Sequence, residues 1–110
     1  MIRRGQVYWA ETYQEKRRPV LVLSPDIRNE LANDVIVAPL SSTLRTGPWH
    51  VRISAPEGGV PRPSVIQCEQ VTTLPKHRLS RDSLGGSLSP ARMREVERGV
   101  LRAIGIPVDL

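Results

Sequence analysis

The sequence predicts a mainly β domain: a small barrel with one C-terminal helix. Three observations point there. Short runs rich in Val, Leu and Ile recur through the first two thirds, separated by connections carrying Gly, Pro and Ser. A helical period appears clearly only near the end, after Ser89. The chain has 110 residues, 39% hydrophobic and 25% charged, which suits one modest core and argues against disorder. Residues 1–110 therefore read as a single domain, with no internal repeat and no linker.

The elements follow in order. GQVYWAE (5–11) is a short strand in which Val7 and Trp9 alternate with Tyr8 and Ala10. TYQEKRR (12–18) is a charged connection. PVLVLS (19–24) is a continuous aliphatic run, as expected of a strand buried on both faces. PDIRNELAN (25–33) holds one or two helical turns or a compact loop, closed by the turn chemistry of Asn33 and Asp34. VIVAPLSS (35–42) is a second buried strand, and Pro39 suggests an edge or a bulge near its end. TLRTGPW (43–49) is a loop, HVRIS (50–54) a half-buried strand and PEGGVPRP (56–63) a turn-rich connection. SVIQCEQVTTL (64–74) alternates along its length and is the longest strand expected, with room for a bulge. A helical turn fits within KHRLSRDSLG (76–85). The terminal helix has Ser89 as N-cap, Pro90 at its first position and an apolar stripe of Met93, Val96, Val100 and Ile104. Gly99 costs about 1 kcal/mol relative to Ala there, which implies a close packing contact. Gly105 caps the helix and Pro107 ends it.

Composition and motifs exclude several classes. The single Cys68 rules out an internal disulfide framework. With only His50 and His77 there is no cluster for structural zinc, and no metal or cofactor is expected. No apolar run approaches the ~18 residues of a membrane span. The opening MIRRGQVYWAE lacks the apolar stretch of a signal peptide, so the expected location is the cytoplasm, with no membrane partner. Dinucleotide, P-loop and zinc-protease motifs are absent.

The net charge is +5, and Lys16 and Lys76 are the only lysines among 16 basic residues, which leaves 14 arginines. An Arg-rich surface suits bidentate binding of phosphates, although a coding bias produces the same skew. The charge is uneven: residues 1–18 sum to +3, residues 19–44 to −2 and residues 45–81 to +4. Basic connections therefore flank the two apolar strands, as a groove for a polyanion requires; a solvated basic surface is the alternative.

Two segments carry potential chemistry. In KRRPVLVLS, Lys16, Arg17 and Arg18 precede a rigid strand, and Pro19 holds Arg18 extended. Arg18 is thus placed either to bind an anion or to pair with Glu11 or Glu69. In VIVAPLSS, Ser41 and Ser42 stand at a strand end, where they bind a phosphate oxygen or simply terminate the strand. His50 and His77 offer an acid–base pair if they flank one phosphate. Of the four aromatics, Trp9 reads as core, and Trp49, on a Gly–Pro loop, as a base-stacking residue.

The order of these segments resembles the MazF/PemK family of toxin endoribonucleases. RRGQVYWAE resembles the family opening, and KRRPVLVLSPDIRNE its Arg–Pro strand with a following Asn. VIVAPLSS resembles the strand ending in Thr/Ser, PSVIQCEQVTTLPKHRL the Ser–Val–Ile, Glu–Gln and Arg–Leu block, and LSPARMREVERGVLRAIGI the closing helix. The resemblance implies an SH3-like small barrel of the CcdB/PemK type that forms a homodimer. It implies metal-independent, sequence-specific cleavage of single-stranded RNA, leaving 2′,3′-cyclic phosphate and 5′-OH ends, and restraint by a cognate antitoxin. It places Arg18 and Ser41 on the catalytic positions and Glu69, Gln70 and His50 along the RNA groove; Lys16, Arg17 and Ser42 join them as RNA-binding candidates. The connection 12–18 is shorter than is usual in the family and lacks its Gly–Ser–Glu run, with Glu15 or Glu11 as possible substitutes for its acid. Gln6 stands where an acid is common. Both bear on cleavage specificity and antitoxin choice more than on the fold. The competing readings are a gyrase-inhibiting toxin of the CcdB type and a non-catalytic RNA-binding barrel.

Overall fold

A computed structural model describes residues 1–13 and 16–108. Six strands and two helices run in the order β1 (Val7–Glu11), β2 (Arg17–Val22), α1 (Asp26–Leu31), β3 (Asp34–Ser41), β4 (His50–Ile53), β5 (Ser64–Gln67), β6 (Thr72–Pro75) and α2 (Pro90–Ala103). All pairings are antiparallel, in the order β1-β2-β3-β5-β4, with β6 also on β3. The free edge of β1 is covered by the segment after β6: Ala10 bridges Leu79, and the amides of Ser80, Leu84 and Leu88 donate to the carbonyls of Trp9, Val7 and Gly5. The sheet thus rolls into a small barrel-like body with no bare edge on that side.

Six strands form rather than five because the run 64–74 is interrupted. Three steps along β3, from Val37 to Leu40, are matched by six on the opposite run, from Thr72 back to Ile66. The three extra residues, Cys68–Gln70, form a 3₁₀ turn. The longest strand is consequently β3, with eight residues. Pro39 falls in the stretch of β3 between those two pairings, so its missing N–H breaks no ladder bond on that edge.

The buried strands divide two core clusters between their faces. Val7, Leu21, Leu40, Ile66 and Cys68 pack beneath α2 with Met93 and Val96, while Tyr8, Val20, Val22, Val35, Val37 and Leu74 pack on the other side. The continuous aliphatic run of β2 supplies both clusters at once. On α2, Ser89 Oγ accepts the Arg92 amide at 3.1 Å, and Pro90 takes the first position. Met93 and Val96 are buried and Val100 packs against the cluster, but Ile104 lies at the helix end and is 65% exposed. Gly99 fills the interval: a Cβ there would stand 2.9 Å from Cys68 Sγ, so no side chain fits without displacement. Arg92 clips the helix start to the 56–60 turn, with Nε 2.7 Å and Nη2 3.1 Å from the two Glu57 oxygens and Nη1 2.6 Å from Glu95. Both carboxylates hold its guanidinium still more firmly protonated than usual.

Candidate nucleic-acid interface

β2 and β3 deliver the two central side chains. Their ladder runs Val22↔Val37, Leu21↔Ala38, Val20↔Pro39 and ends there, two residues short of Arg18 on one strand and of Ser41 on the other. Both line one open cleft of about 440 Å³, together with Trp9, Arg17, Ser42 and Arg62. β1 holds the other side of β2 in register, with Trp9 opposite Pro19 and Ala10 opposite Arg18. The Arg17 guanidinium lies over the Trp9 ring, 5.5 Å from its centroid. Ser41 Oγ accepts the Thr43 amide at 3.1 Å, so its own O–H remains available to a ligand oxygen. Neither Glu11 nor Glu69 pairs with Arg18; Glu69 is engaged by His50 instead, 3.1 Å from His50 Nε2. A charged fork next to a free hydroxyl, in a cleft with two further arginines, is an arrangement for holding a phosphodiester.

A second cavity adjoins the first at Arg18. It is small, about 160 Å³, with mainly aliphatic walls, and Tyr13 and Gln70 stand at its margin. The 3₁₀ turn Cys68–Gln70 parts its two exposed polar residues between neighbouring sites: Gln70 reaches this pocket, and Glu69 reaches His50. Cys68 lies buried between them, and burial pushes its thiol up to about 12, the charge of Glu69 acting in the same direction.

The remaining sequence candidates are spread more widely. His50 faces α2, in a cavity with Arg52, Arg98 and Arg102. His77 lines a separate cavity with Glu11, Arg17 and Arg78. The two histidines therefore do not flank one phosphate in this chain. The Lys16 side chain is exposed, and its carbonyl accepts from the Thr12 amide and hydroxyl. Glu15 lies outside the described residues. Trp9 is half-buried and outside both core clusters, so it belongs to the cleft and not to the core. Sequence reasoning also passed over Arg62, and it gave Tyr13 only as one of four aromatics able to stack a base. The turn-rich composition around Arg62 hides its approach to the cleft, and Tyr13 is placed beside the small cavity by its bond to the Thr73 carbonyl and by Arg78 over its ring. Among the described residues, no three His, Cys, Asp or Glu side chains gather as a metal-holding group, and no helix is long and apolar enough to cross a membrane.

Residues 3–104 match the model of a family described as the PemK-like, MazF-like toxin of type II toxin–antitoxin systems. The chain belongs to this family. Among PemK/MazF relatives, it is 38% identical over 88 residues to endoribonuclease EndoA of Bacillus subtilis, covering 73% of this chain and 76% of that one. It is 32% identical over 114 residues to endoribonuclease MazF of Staphylococcus saprophyticus, covering 96% and 93%. Two solved folds superpose with a TM-score of 0.83. One is the Mycobacterium tuberculosis toxin MazF-mt6, at 26% identity over 94% of this chain and 99% of that one. The other is a mycobacterial endoribonuclease in complex with its cognate antitoxin, at 28% identity over 99% and 100%.

Proposed function

We propose that this PemK/MazF-family toxin is an endoribonuclease that cuts single-stranded RNA in the cleft between Arg18 and Ser41, using the RNA's own 2′-OH as nucleophile. The observation that carries the reading is the placement of these two groups on adjacent strand ends with their polar atoms offered to one basic cleft. The 2′ oxygen attacks the neighbouring phosphorus, the P–O5′ bond breaks, the 2′ proton leaves to a base and the 5′ oxygen takes up a proton. A 2′,3′-cyclic phosphate and a 5′-OH result. Charge grows on the non-bridging oxygens as the phosphorus becomes five-coordinate. The Arg18 fork meets two of those oxygens, and the Ser41 hydroxyl donates to the same group. Arg18 stays protonated throughout, so its part is stabilisation and positioning.

The flanking residues hold the strand. Arg17, lying over Trp9, offers a cation and an aromatic face together, which suits a phosphate and its base. Ser42 and the exposed Lys16 extend the phosphate track, Gln70 meets the RNA beside Arg18, and the His50–Glu69 pair borders its continuation. The working form is a single-domain protomer in a cytoplasmic homodimer, held in check by a cognate antitoxin that competes for the basic cleft, as suits a family whose structures include an antitoxin complex.

The test is incubation with a mixed RNA pool in excess chelator, followed by end-group analysis. Cleavage at short motifs with cyclic phosphate and 5′-OH ends is the expected result. RNA binding without cleavage identifies a non-catalytic barrel, and gyrase co-purification without cleavage identifies a CcdB-type toxin.

A further inference from the structure

We infer that the open cavity between α2 and β4 is a binding site for a small, multiply charged phosphate compound. The cavity measures about 410 Å³, within the range of about 300–1,000 Å³ typical of small-molecule sites. Its walls carry four arginines, Arg52, Arg92, Arg98 and Arg102, beside His50 and a single carboxylate, Glu95. It shares no lining residue with the cleft that holds Arg18 and Ser41, so the two are distinct sites.

The acids that would neutralise these arginines are engaged elsewhere. α2 carries two, Glu95 and Glu97. Glu95 Oε2 accepts from Arg92 Nη1 at 2.6 Å, and Glu97 Oε2 accepts from Arg4 Nη2 at 2.8 Å. Glu57 also binds Arg92. Among the described residues, no carboxylate pairs with Arg52, Arg98 or Arg102. Arg98 and Arg102 stand four residues apart on α2, a spacing at which like charges destabilise a helix. An anion bridging the two guanidinium groups removes that repulsion. The surroundings are ordered in advance. Arg102 Nη1 donates to the Pro48 carbonyl at 3.4 Å, and the His50 side chain, only 10% exposed, is held by Glu69. Part of the ordering cost of binding is thus already met by the fold. Guanidinium forks match phosphate oxygens in pairs, and a phosphate group carries up to two negative charges where a carboxylate carries one. Three such forks around one cavity therefore favour neighbouring phosphates over an acidic peptide.

The probe is inorganic tripolyphosphate, titrated calorimetrically into the full chain at low ionic strength. Saturable binding is expected, together with a rise in the thermal unfolding midpoint. Arg98→Ala and Arg102→Ala should each weaken binding by about tenfold or more. Arg94→Ala removes the same charge from the same helix outside the cavity, and it should change binding by less than about twofold. Arg18→Ala, which takes the central cation from the RNA cleft, should do likewise. No binding by the parent chain, or an equal loss in Arg94→Ala, overturns the proposal. So does a loss confined to Arg18→Ala, which would put the anion in the RNA cleft, and so does hexaglutamate binding as tightly as tripolyphosphate. Sedimentation tests the one other use of these arginines. An Arg98→Ala chain that sediments as a smaller species than the parent would assign them to a contact between copies and overturn the site.

Discussion

The two ends of the β2–β3 pair make opposite use of polar side chains. At one end, Ser24 and Asn29 are each only 2% exposed and answer one another completely. Ser24 Oγ donates to Asn29 Oδ1 at 2.5 Å and accepts the Ile36 amide at 3.0 Å, while Asn29 Nδ2 donates to the Ser24 carbonyl at 2.9 Å. These bonds fasten α1 to the start of β3. At the other end, beyond the last paired residues of the same two strands, Arg18 and Ser41 line one open cleft. Buried polar groups that satisfy each other specify a structure, whereas groups held rigid and left available await a ligand. One rigid strand pair thus serves as clamp at one end and as binding site at the other.

The sharpest way to break this contrast is Arg18→Ala. Loss of a positioned cation from a charge-stabilising site is expected to lower kcat by about 10²–10³-fold. The unfolding free energy should stay within about 0.5 kcal/mol of the parent, because no buried partner is orphaned. A large stability loss on denaturant titration would assign Arg18 a structural role. Asn29→Ala should do the reverse. Removing it strands the Ser24 hydroxyl and carbonyl in the interior, at a cost of about 2–3 kcal/mol. RNA cleavage per folded molecule should be unchanged, which active-site titration beside the denaturation curve would show.

The mildest probe lies between the two ends, at Cys68. Burial pushes its thiol up to about 12, above the ordinary thiol value of 9.0. Its contribution to stability is therefore fully present below pH 9 and declines as pH rises towards 12, since only the unfolded chain ionises readily in that window. The Tyr8 phenol is raised by burial and by the charge of Asp82, and it acts in the same direction at higher pH. Unfolding midpoints measured from pH 8 upward should fall, and Cys68→Ala should flatten the first part of the fall. An unchanged slope would show that the Cys68 thiol ionises as readily in the folded chain as in the unfolded one.

What could be read from the chain tracks how local each cause is. The β2 run, the caps of α2 and the close contact at Gly99 follow from neighbouring residues, so they were legible. Arg18 was legible for the same reason, because Pro19 fixes the backbone beside it. The break at Cys68–Gln70 was not, since its residues imitate strand alternation while the partner that Cys68 packs against, Gly99, lies some thirty residues on. Trp9 was misplaced because alternation along β1 does not reveal that Arg17 covers its ring. Arg62 and Tyr13 reach Arg18 from opposite sides through tertiary contacts with no trace in spacing.

The position of β3 governs when the cleft can exist during synthesis. Its first half pairs with β6 in the register Asp34↔Pro75, and its end, at Ser41, pairs with Val65. A nascent chain that has emerged only through β4 holds Arg18 and Ser41 but lacks the strands that fix the second of them. Closing those long loops comes late and all together. A protein built to cut RNA therefore gains its cutting geometry only after most of its length has left the ribosome.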